Sequence, residues 1–216
     1  MTGNVAAHEK PLVLVVDDDE RVRLAISELM QSVGMEAICY GSTRELMEAQ
    51  LLDRAGCLVL DVRMPGLSGL DLQHHLSTAG IATPIVFLTG YGDIPMSVQA
   101  MKAGAVDFLT KPFRDQTLLD AVSVAIERNA AERANARVVQ EDLERFATLT
   151  PRECEVMGEV AQGRLNKQIA HDLGISEITV KLHRSNVMKK MRSGSVGELI
   201  RAWDRLPLEV RAKRPA

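Results

Sequence analysis

Aromatic residues are scarce in this chain: one Trp, two Tyr and four Phe make up 3% of its 216 residues. That leaves too few rings for the usual aromatic-lined pocket of a small ligand. Cysteine is also rare. Cys39, Cys57 and Cys154 are odd in number, scattered and without metal-ligand spacing, which points to free thiols in a reducing cytoplasm rather than a disulfide scaffold or a zinc site. No apolar run approaches the length of a membrane span. The polar opening, Met1 to Lys10, lacks the apolar core of a secretion signal. Between Asp115 and Phe146 there is neither glycine nor proline, Pro112 standing just before. The expectation is a cytoplasmic chain with no membrane partner.

Charge is abundant but unevenly placed. The net formal charge is −3, yet residues 1–123 hold 9 Lys/Arg against 16 Asp/Glu and residues 149–216 hold 13 against 8. An acidic first part and a basic last part suggest two domains with different partners, the basic one a nucleic-acid candidate. In the first part, apolar runs at 12–16, 37–40, 58–60, 85–89 and 106–110 read as five strands. Helical patterns lie between them, at 22–33, 43–51, 69–77, 95–103 and from 115 onward. Strict alternation of this kind predicts a parallel sheet covered by helices on both faces. The glycine-free stretch is rich in Ala, Glu and Arg, good helix formers. It predicts a linker helix of about 30 residues and about 45 Å if unbroken, with Val139, Leu143 and Phe146 at helical spacing.

The predicted strand ends carry the chemistry. Asp17-Asp18-Asp19-Glu20 follows the first strand, Asp61 ends the third and Lys111-Pro112 follows the fifth; open α/β sheets place their sites at such carboxyl ends. Carboxylates brought together repel one another, and without a cation one must take up a proton. Magnesium resolves this, because it binds one or two carboxylates plus a phosphate oxygen and keeps several waters. Asp18 and Asp61 are its predicted direct ligands, with Asp17 acting through water. Lys111 is placed to neutralise phosphoryl oxygens, and Thr89, ending the fourth strand, to hydrogen-bond them. An aspartate nucleophile forming an aspartyl phosphate is known chemistry.

Taken in order and spacing, Asp17-Asp18, the segment LVLDVRMPGLSG around Asp61, Thr89 and Lys111-Pro112 resemble the receiver domain of two-component response regulators. The resemblance implies a flavodoxin-like, doubly wound five-stranded parallel sheet and Mg²⁺-dependent phosphorylation of Asp61 by a phosphohistidine of a sensor histidine kinase. It also implies the Arg63 backbone carbonyl as a further metal ligand and Phe108 as the aromatic that swings inward with Thr89 on activation. Arg63, two residues after Asp61, lies where a side chain influences attacking water.

The last part opens with Thr150-Pro151-Arg152-Glu153, a capping box with proline at the first helical position. A helix to about Gln162, a short helix 165–173 ending at Gly174, a basic helix from the Ser176 cap to about Met191 and a last helix 195–205 make a helix-turn-helix pattern. Val180, Val187 and Met191 read as core, and Ile178 stays open between core and surface. Lys181, Arg184, Ser185 and Met188 recur at three- and four-residue intervals and form the expected groove-facing side. Lys189 and Lys190 are expected on the DNA backbone, and Asn166 and Lys167 on phosphate at a helix start. His183 reads as structural, and Trp203 as core or dimer interface. The motifs Leu149–Glu153, Asn166–Ala170, Leu173–Ser176 and Thr179–Arg184 resemble the LuxR-type helix-turn-helix, most closely the output domain of FixJ/NarL-like regulators.

Together the two resemblances imply a receiver at 1–125, a helical linker at 126–147 and a separate all-α DNA-binding domain at 148–210. The chain they imply is a phosphorylation-switched transcription factor and not an enzyme acting on other substrates. Phosphorylated, it would form a homodimer through Val98 and Lys102 and bind a two-fold double-stranded operator, with RNA polymerase as a candidate further partner. Three alternatives stand beside it. A haloacid-dehalogenase-type phosphatase would use Asp17 and Asp19, but Arg21 departs from its motif. A lactone-sensing LuxR-type regulator has no role for the acidic cluster. A phosphorylation-independent LuxR-type factor would bind DNA regardless of Asp61.

Overall fold

The structure is a computed structural model that describes residues 10–90 and 92–212. Two compact units divide the chain between Glu132 and Arg133. In the first, five strands alternate with helices: β1 (Leu12–Val16), α1 (Glu20–Ser32), β2 (Glu36–Tyr40), α2 (Thr43–Ala49), β3 (Cys57–Asp61), α3 (Gly69–Thr78), β4 (Ile85–Thr89), α4 (Ile94–Lys102), β5 (Asp107–Thr110) and the start of α5 (Asp115–Phe146). The strands are all parallel, in the order β2-β1-β3-β4-β5. This is the doubly wound sheet expected from the alternation.

Side chains of successive strand residues point to opposite faces, so each strand feeds two cores. Leu12, Leu14, Val16, Leu58, Leu60, Ile85 and Phe87 pack with Leu46, Leu72, Leu76 and Ala100 of α2, α3 and α4. Val13, Val15, Cys57, Val59, Val86 and Leu88 pack with Ile26, Met30, Leu118 and Val122 of α1 and α5. Burial on both faces explains why these strands read as unbroken apolar runs. The chain order reverses between β1 and β3, and a crevice opens at the carboxyl ends of strands on either side of such a reversal. Asp17 follows β1 directly, and Asp61 is the last residue of β3 rather than the first of the loop.

The second unit contains the end of α5, then α6 (Pro151–Ala161), α7 (Asn166–Leu173), α8 (Glu177–Lys190), α9 (Val196–Arg205) and the short α10 (Leu208–Ala212). The capping box at Thr150 and Glu153 is present, and Gly174 ends α7 in the left-handed conformation that glycine adopts without steric cost. The expected linker at 126–147 is shared between the units. Leu143 and Phe146 pack against the core of the second unit, built on Val156, Met157, Val160, Ile169, Val187 and Leu199. Asp142 is buried and paired with Arg205 at 2.6 Å. Trp203 belongs to this core, its ring tilted against Phe146 at 6.1 Å between centroids. The sequence pattern did not predict α10, whose five residues follow Pro207 and bury none of their side chains.

One glycine holds the crevice in shape. A Cβ on Gly69 would lie 2.3 Å from the carbonyl oxygen of Asp61, while the Gly69 amide donates to the Val62 carbonyl at 3.0 Å. The first turn of α3 can approach the end of β3 this closely only without a side chain. Gly69→Ala is therefore expected to destabilise the first unit by about 3 kcal/mol, the upper range for overpacking a rigid site. Calorimetry of the full chain checks this; a melting profile identical to that of wild type contradicts it.

Candidate functional site

Three strand ends build a polar cluster in an otherwise apolar layer. Carboxylate oxygens of Asp17, Asp18 and Asp61 lie within 4.8 Å of one another. Asp17 and Asp61 are buried, and Asp18 is exposed at the rim. The Lys111 Nζ donates to Asp17 Oδ2 at 2.5 Å and to Asp61 Oδ2 at 2.7 Å. The other oxygens are positioned by backbone: Asp17 Oδ1 accepts from the Asp19 amide and Asp61 Oδ1 from the Arg63 amide, both at 3.0 Å. The Arg23 guanidinium donates to the carbonyls of Asp17 and Asp18, which fixes the loop from α1.

The acidic run of four residues separates into two jobs. Asp17 and Asp18 face the crevice. Asp19 is the N-cap of α1, its side chain accepting from the Arg21 amide at 2.8 Å, and Glu20 sits in the first helical turn. A carboxylate at either place favours the positive end of the helix dipole. The run thus ends the strand, furnishes the site and starts the helix.

Burial raises the Asp17 carboxyl above its ordinary value, against the lowering by Lys111 and the Asp19 amide. Burial acts against the charge on Lys111, but its hydrogen bonds to Asp17 and Asp61 outweigh that and hold the ammonium above its ordinary value. Both directions favour keeping protons: burial does so at Asp17, and the two carboxylate hydrogen bonds do so at Lys111. A divalent cation suits this donor set better: all-oxygen, carboxylate-rich and open to water on the Asp18 side. Asp17, Asp18 and Asp61 are the side chains that would hold it.

Thr89 is buried at the end of β4, beside Leu88, whose register partner is Asp61. Thr110 pairs with it on β5. Phe108 is half-buried, tilted against Phe87 at 6.2 Å between centroids. The loop after β4 passes so close that a Cβ on Gly92 would lie 2.9 Å from the Phe108 ring and 3.2 Å from the methyls of Thr89 and Thr110. Sequence reading passed over Gly92 and Gly69, since a close approach between distant segments leaves no local pattern. Beyond the site, α4 exposes Ile94, Val98 and Met101 at helical spacing, with Lys102 exposed beside them.

The second unit places the predicted DNA residues unevenly. About 100° of rotation per residue follows from 3.6 residues per turn. Taking Lys181 as zero, the core residues Val180, Val187 and Met191 fall near −100°, whereas Ile178, Ser185, Lys189 and Leu182 fall between about 40° and 100°. These last four and Lys181 are the exposed stripe of α8. Arg184 and Met188 lie toward the core. The Arg184 guanidinium donates to Asn166 Oδ1 at 2.6 Å, and Met188 packs against the core of the unit. The three- and four-residue spacing that joined Lys181, Arg184, Ser185 and Met188 is real, but it selects a face that the protein half covers. Lys190, expected on a nucleic-acid backbone, is engaged elsewhere: its Nζ donates to Glu153 at 2.6 Å and to the Thr148 carbonyl at 3.1 Å. Ile178, left open by the sequence, is 79% exposed. Lys167 is exposed at the start of α7.

Comparison with known proteins covers both units. Residues 13–123 match the response regulator receiver domain family, and residues 147–203 match the bacterial regulatory proteins of the luxR family. Nodulation protein W of Bradyrhizobium diazoefficiens is 52% identical over 204 residues, which span 94% of this chain and 90% of that protein. The solved structure of the response regulator StyR shares 44% identity, covering 91% of this chain and all of that one with a TM-score of 0.81. Full-length FixJ from B. japonicum shares 38% identity over 91% of this chain and 97% of that one, with a TM-score of 0.55. None of the three alternative readings raised by the sequence finds support in these matches.

Two outcomes are expected. Adding Mg²⁺ at a hundredfold excess over its Kd should stabilise the first unit by about 2.7 kcal/mol, and Asp17→Asn or Asp61→Asn should abolish most of that gain; calorimetry at matched ionic strength reads it. In the second unit, burial raises the Glu153 carboxyl, but Lys190 and the Thr150 amide and hydroxyl outweigh it and hold the group below its ordinary value. A depressed folded pKa contributes stability that is complete above the unfolded pKa and disappears as the pH falls through the folded one. Glu153→Gln should therefore cost about 1 kcal/mol at neutral pH and nothing at acid pH, as read from urea titrations of Trp203 fluorescence.

Proposed function

Since the chain belongs to the response-regulator family, pairing a receiver with a LuxR-type DNA-binding domain, we propose that a sensor histidine kinase phosphorylates Asp61 and that the modified protein dimerises on a two-fold DNA site to regulate transcription. The observation that carries this reading is the convergence of the Asp17, Asp18 and Asp61 carboxylates around Lys111. Each group has a role in phosphoryl transfer. The Asp61 carboxylate attacks phosphorus while the bond to the donor imidazole breaks, and the nitrogen leaves with the bonding electrons. Asp17, Asp18, Asp61 and the Arg63 carbonyl would hold Mg²⁺, which when bound would neutralise charge on the phosphoryl oxygens. Lys111 exchanges its carboxylate partners for a phosphoryl oxygen, so the charge needed is already in place. Beside Lys111 lies an open groove of about 540 Å³ lined by Val22, Ala25, Ile26, Leu29, Pro112 and Phe113. Its apolar floor, rimmed by Arg21, Lys111 and Asp115 next to the reacting groups, suits the helix of a kinase presenting its phosphohistidine.

Switching follows from what surrounds Thr89. A phosphoryl group on Asp61 offers oxygens to the Thr89 hydroxyl, and a displaced Thr89 leaves space that the Phe108 ring enters. That movement reshapes α4 and β5, where Val98 and Lys102 are the proposed dimer contacts. An equilibrium moved from 1:99 to 99:1 requires about 5.5 kcal/mol of preference between the two states. Two charge-assisted hydrogen bonds and a newly buried apolar face together reach that order. Dimerisation then presents two copies of α8 to adjacent major grooves. RNA polymerase is the proposed downstream partner, and the cytoplasm the proposed location; no helix among the described residues is long and apolar enough to cross a membrane.

Sedimentation of the full chain with Mg²⁺ and beryllofluoride, a phosphoryl mimic, tests this. Wild type should shift from monomer to dimer, Asp61→Ala should not, and Val98→Glu should bind the mimic but stay monomeric. A chain whose mass is unchanged by the mimic contradicts the switch.

A further inference from the structure

The exposed stripe of α8 carries a feature that phosphate binding does not explain. Ile178 is 79% exposed and Leu182 is 60% exposed, one turn apart in the N-terminal half of the helix. Neither serves the core, which Val180, Val187 and Met191 complete on the opposite side. Single exposed apolar residues are ordinary. Two at i and i+4, flanked on the same stripe by exposed Lys181, Ser185 and Lys189, make an apolar patch framed by cations and a hydroxyl. The N-terminal half of such a helix lies nearest the base edges.

We infer that Ile178 and Leu182 read thymine by packing on its C5-methyl group, and that this pair contributes directly to the choice of DNA sequence. The inference rests on the DNA-binding reading above. The major groove presents hydrogen-bonding groups at every base, and the thymine methyl is its apolar feature. An apolar side chain on a groove-facing helix therefore has that partner, whereas lysine or arginine is drawn to phosphate and guanine. Ile178 suits the task because a β-branched side chain in a helix is held to one dominant χ1 rotamer. Its methyl groups are thus fixed before binding, and little freedom is lost in the complex. Lys181, at the edge of the stripe beside the pair, is positioned for an adjacent phosphate or guanine, and Ser185 follows one turn on. Charge selects the occupant: Lys181 and Lys189 are exposed on this face against one exposed acid, Glu177, at the start of the helix, and that positive balance favours a polyanion over a second copy of the chain.

The experiment selects duplexes from a random library with the full chain in Mg²⁺ and beryllofluoride. Each thymine of the selected site is then replaced by deoxyuridine, which removes the methyl and nothing else. Affinities are measured for wild type, Ile178→Ala and Leu182→Ala, the two substitutions lying at exposed positions, with Trp203 fluorescence to verify folding. At one or two thymines per half-site, deoxyuridine should weaken wild type about four-fold per methyl, as expected for one buried methyl group. The same replacement should leave the affinity of the corresponding alanine variant unchanged, and that variant should select sites with relaxed base preference there. Equal sensitivity of wild type and variants to every deoxyuridine overturns the inference while leaving DNA binding intact. Loss of the dimer in Ile178→Ala, with base preference retained, also overturns it and assigns the patch to protein contact. Failure of wild type to enrich any sequence overturns this inference and the DNA-binding reading together.

Discussion

The repulsion among Asp17, Asp18 and Asp61, and the way Lys111 offsets it, is the constraint around which the first unit is arranged. Two of the carboxylates are buried at adjacent strand ends and share one ammonium group. Such a cluster is costly unless each oxygen has a partner. The partners come from four places: Lys111 after β5, the Asp19 amide at the start of α1, the Arg63 amide after β3 and, at the loop carbonyls, Arg23 of α1. The parallel order β2-β1-β3-β4-β5 makes this convergence available, since it sets β1 and β3 side by side and opens the crevice between their ends. Net negative charge left over in the cluster makes it a donor set suited to a divalent cation.

The second unit depends on a different balance. Its helices are short, and short helices are marginal in isolation, so caps and ion pairs at their ends matter alongside the core. Thr150 and Glu153 cap α6, Lys190 at the end of α8 closes on the same Glu153, and Arg184 joins α8 to the start of α7 through Asn166. Charged residues that would serve equally on a phosphate are thereby committed to holding the helices in place. The exposed stripe of α8 is left to Lys181, Ile178, Leu182, Ser185 and Lys189. The last turns of α5 are part of this unit through Asp142, Leu143 and Phe146.

Much of the first unit was legible because its signals are periodic or local. The apolar runs became strands with ends moved by one residue or so, and Asp61, Lys111 and Thr89 stood at the strand ends where the pattern put them. The resemblance to receivers was carried by residue types at particular spacings, and the family matches bear it out. What was missed shares a cause. Gly69 and Gly92 matter through backbone and rings brought near by folding, Lys190 through a glutamate 37 positions away, and Arg184 through an asparagine 18 positions away. None of these pairs leaves a mark on its own neighbourhood in the chain.

Sequence alone determined that this chain has an acidic α/β part and a basic helical part, where the strands and helices lie, and which carboxylates and lysine stand at strand ends. Those features follow from side-chain periodicity and from the residues that start and stop helices, both of which act over a few positions. Tertiary structure decided which members of each group are free to act. It divided one acidic run between site and helix cap, and it withdrew Lys190 into an ion pair. It also turned Arg184 and Met188 toward the core while leaving Ile178 and Leu182 on the surface. The reason is geometric: a helix fixes the angles between its residues, but only packing against neighbours decides which of those angles meets solvent.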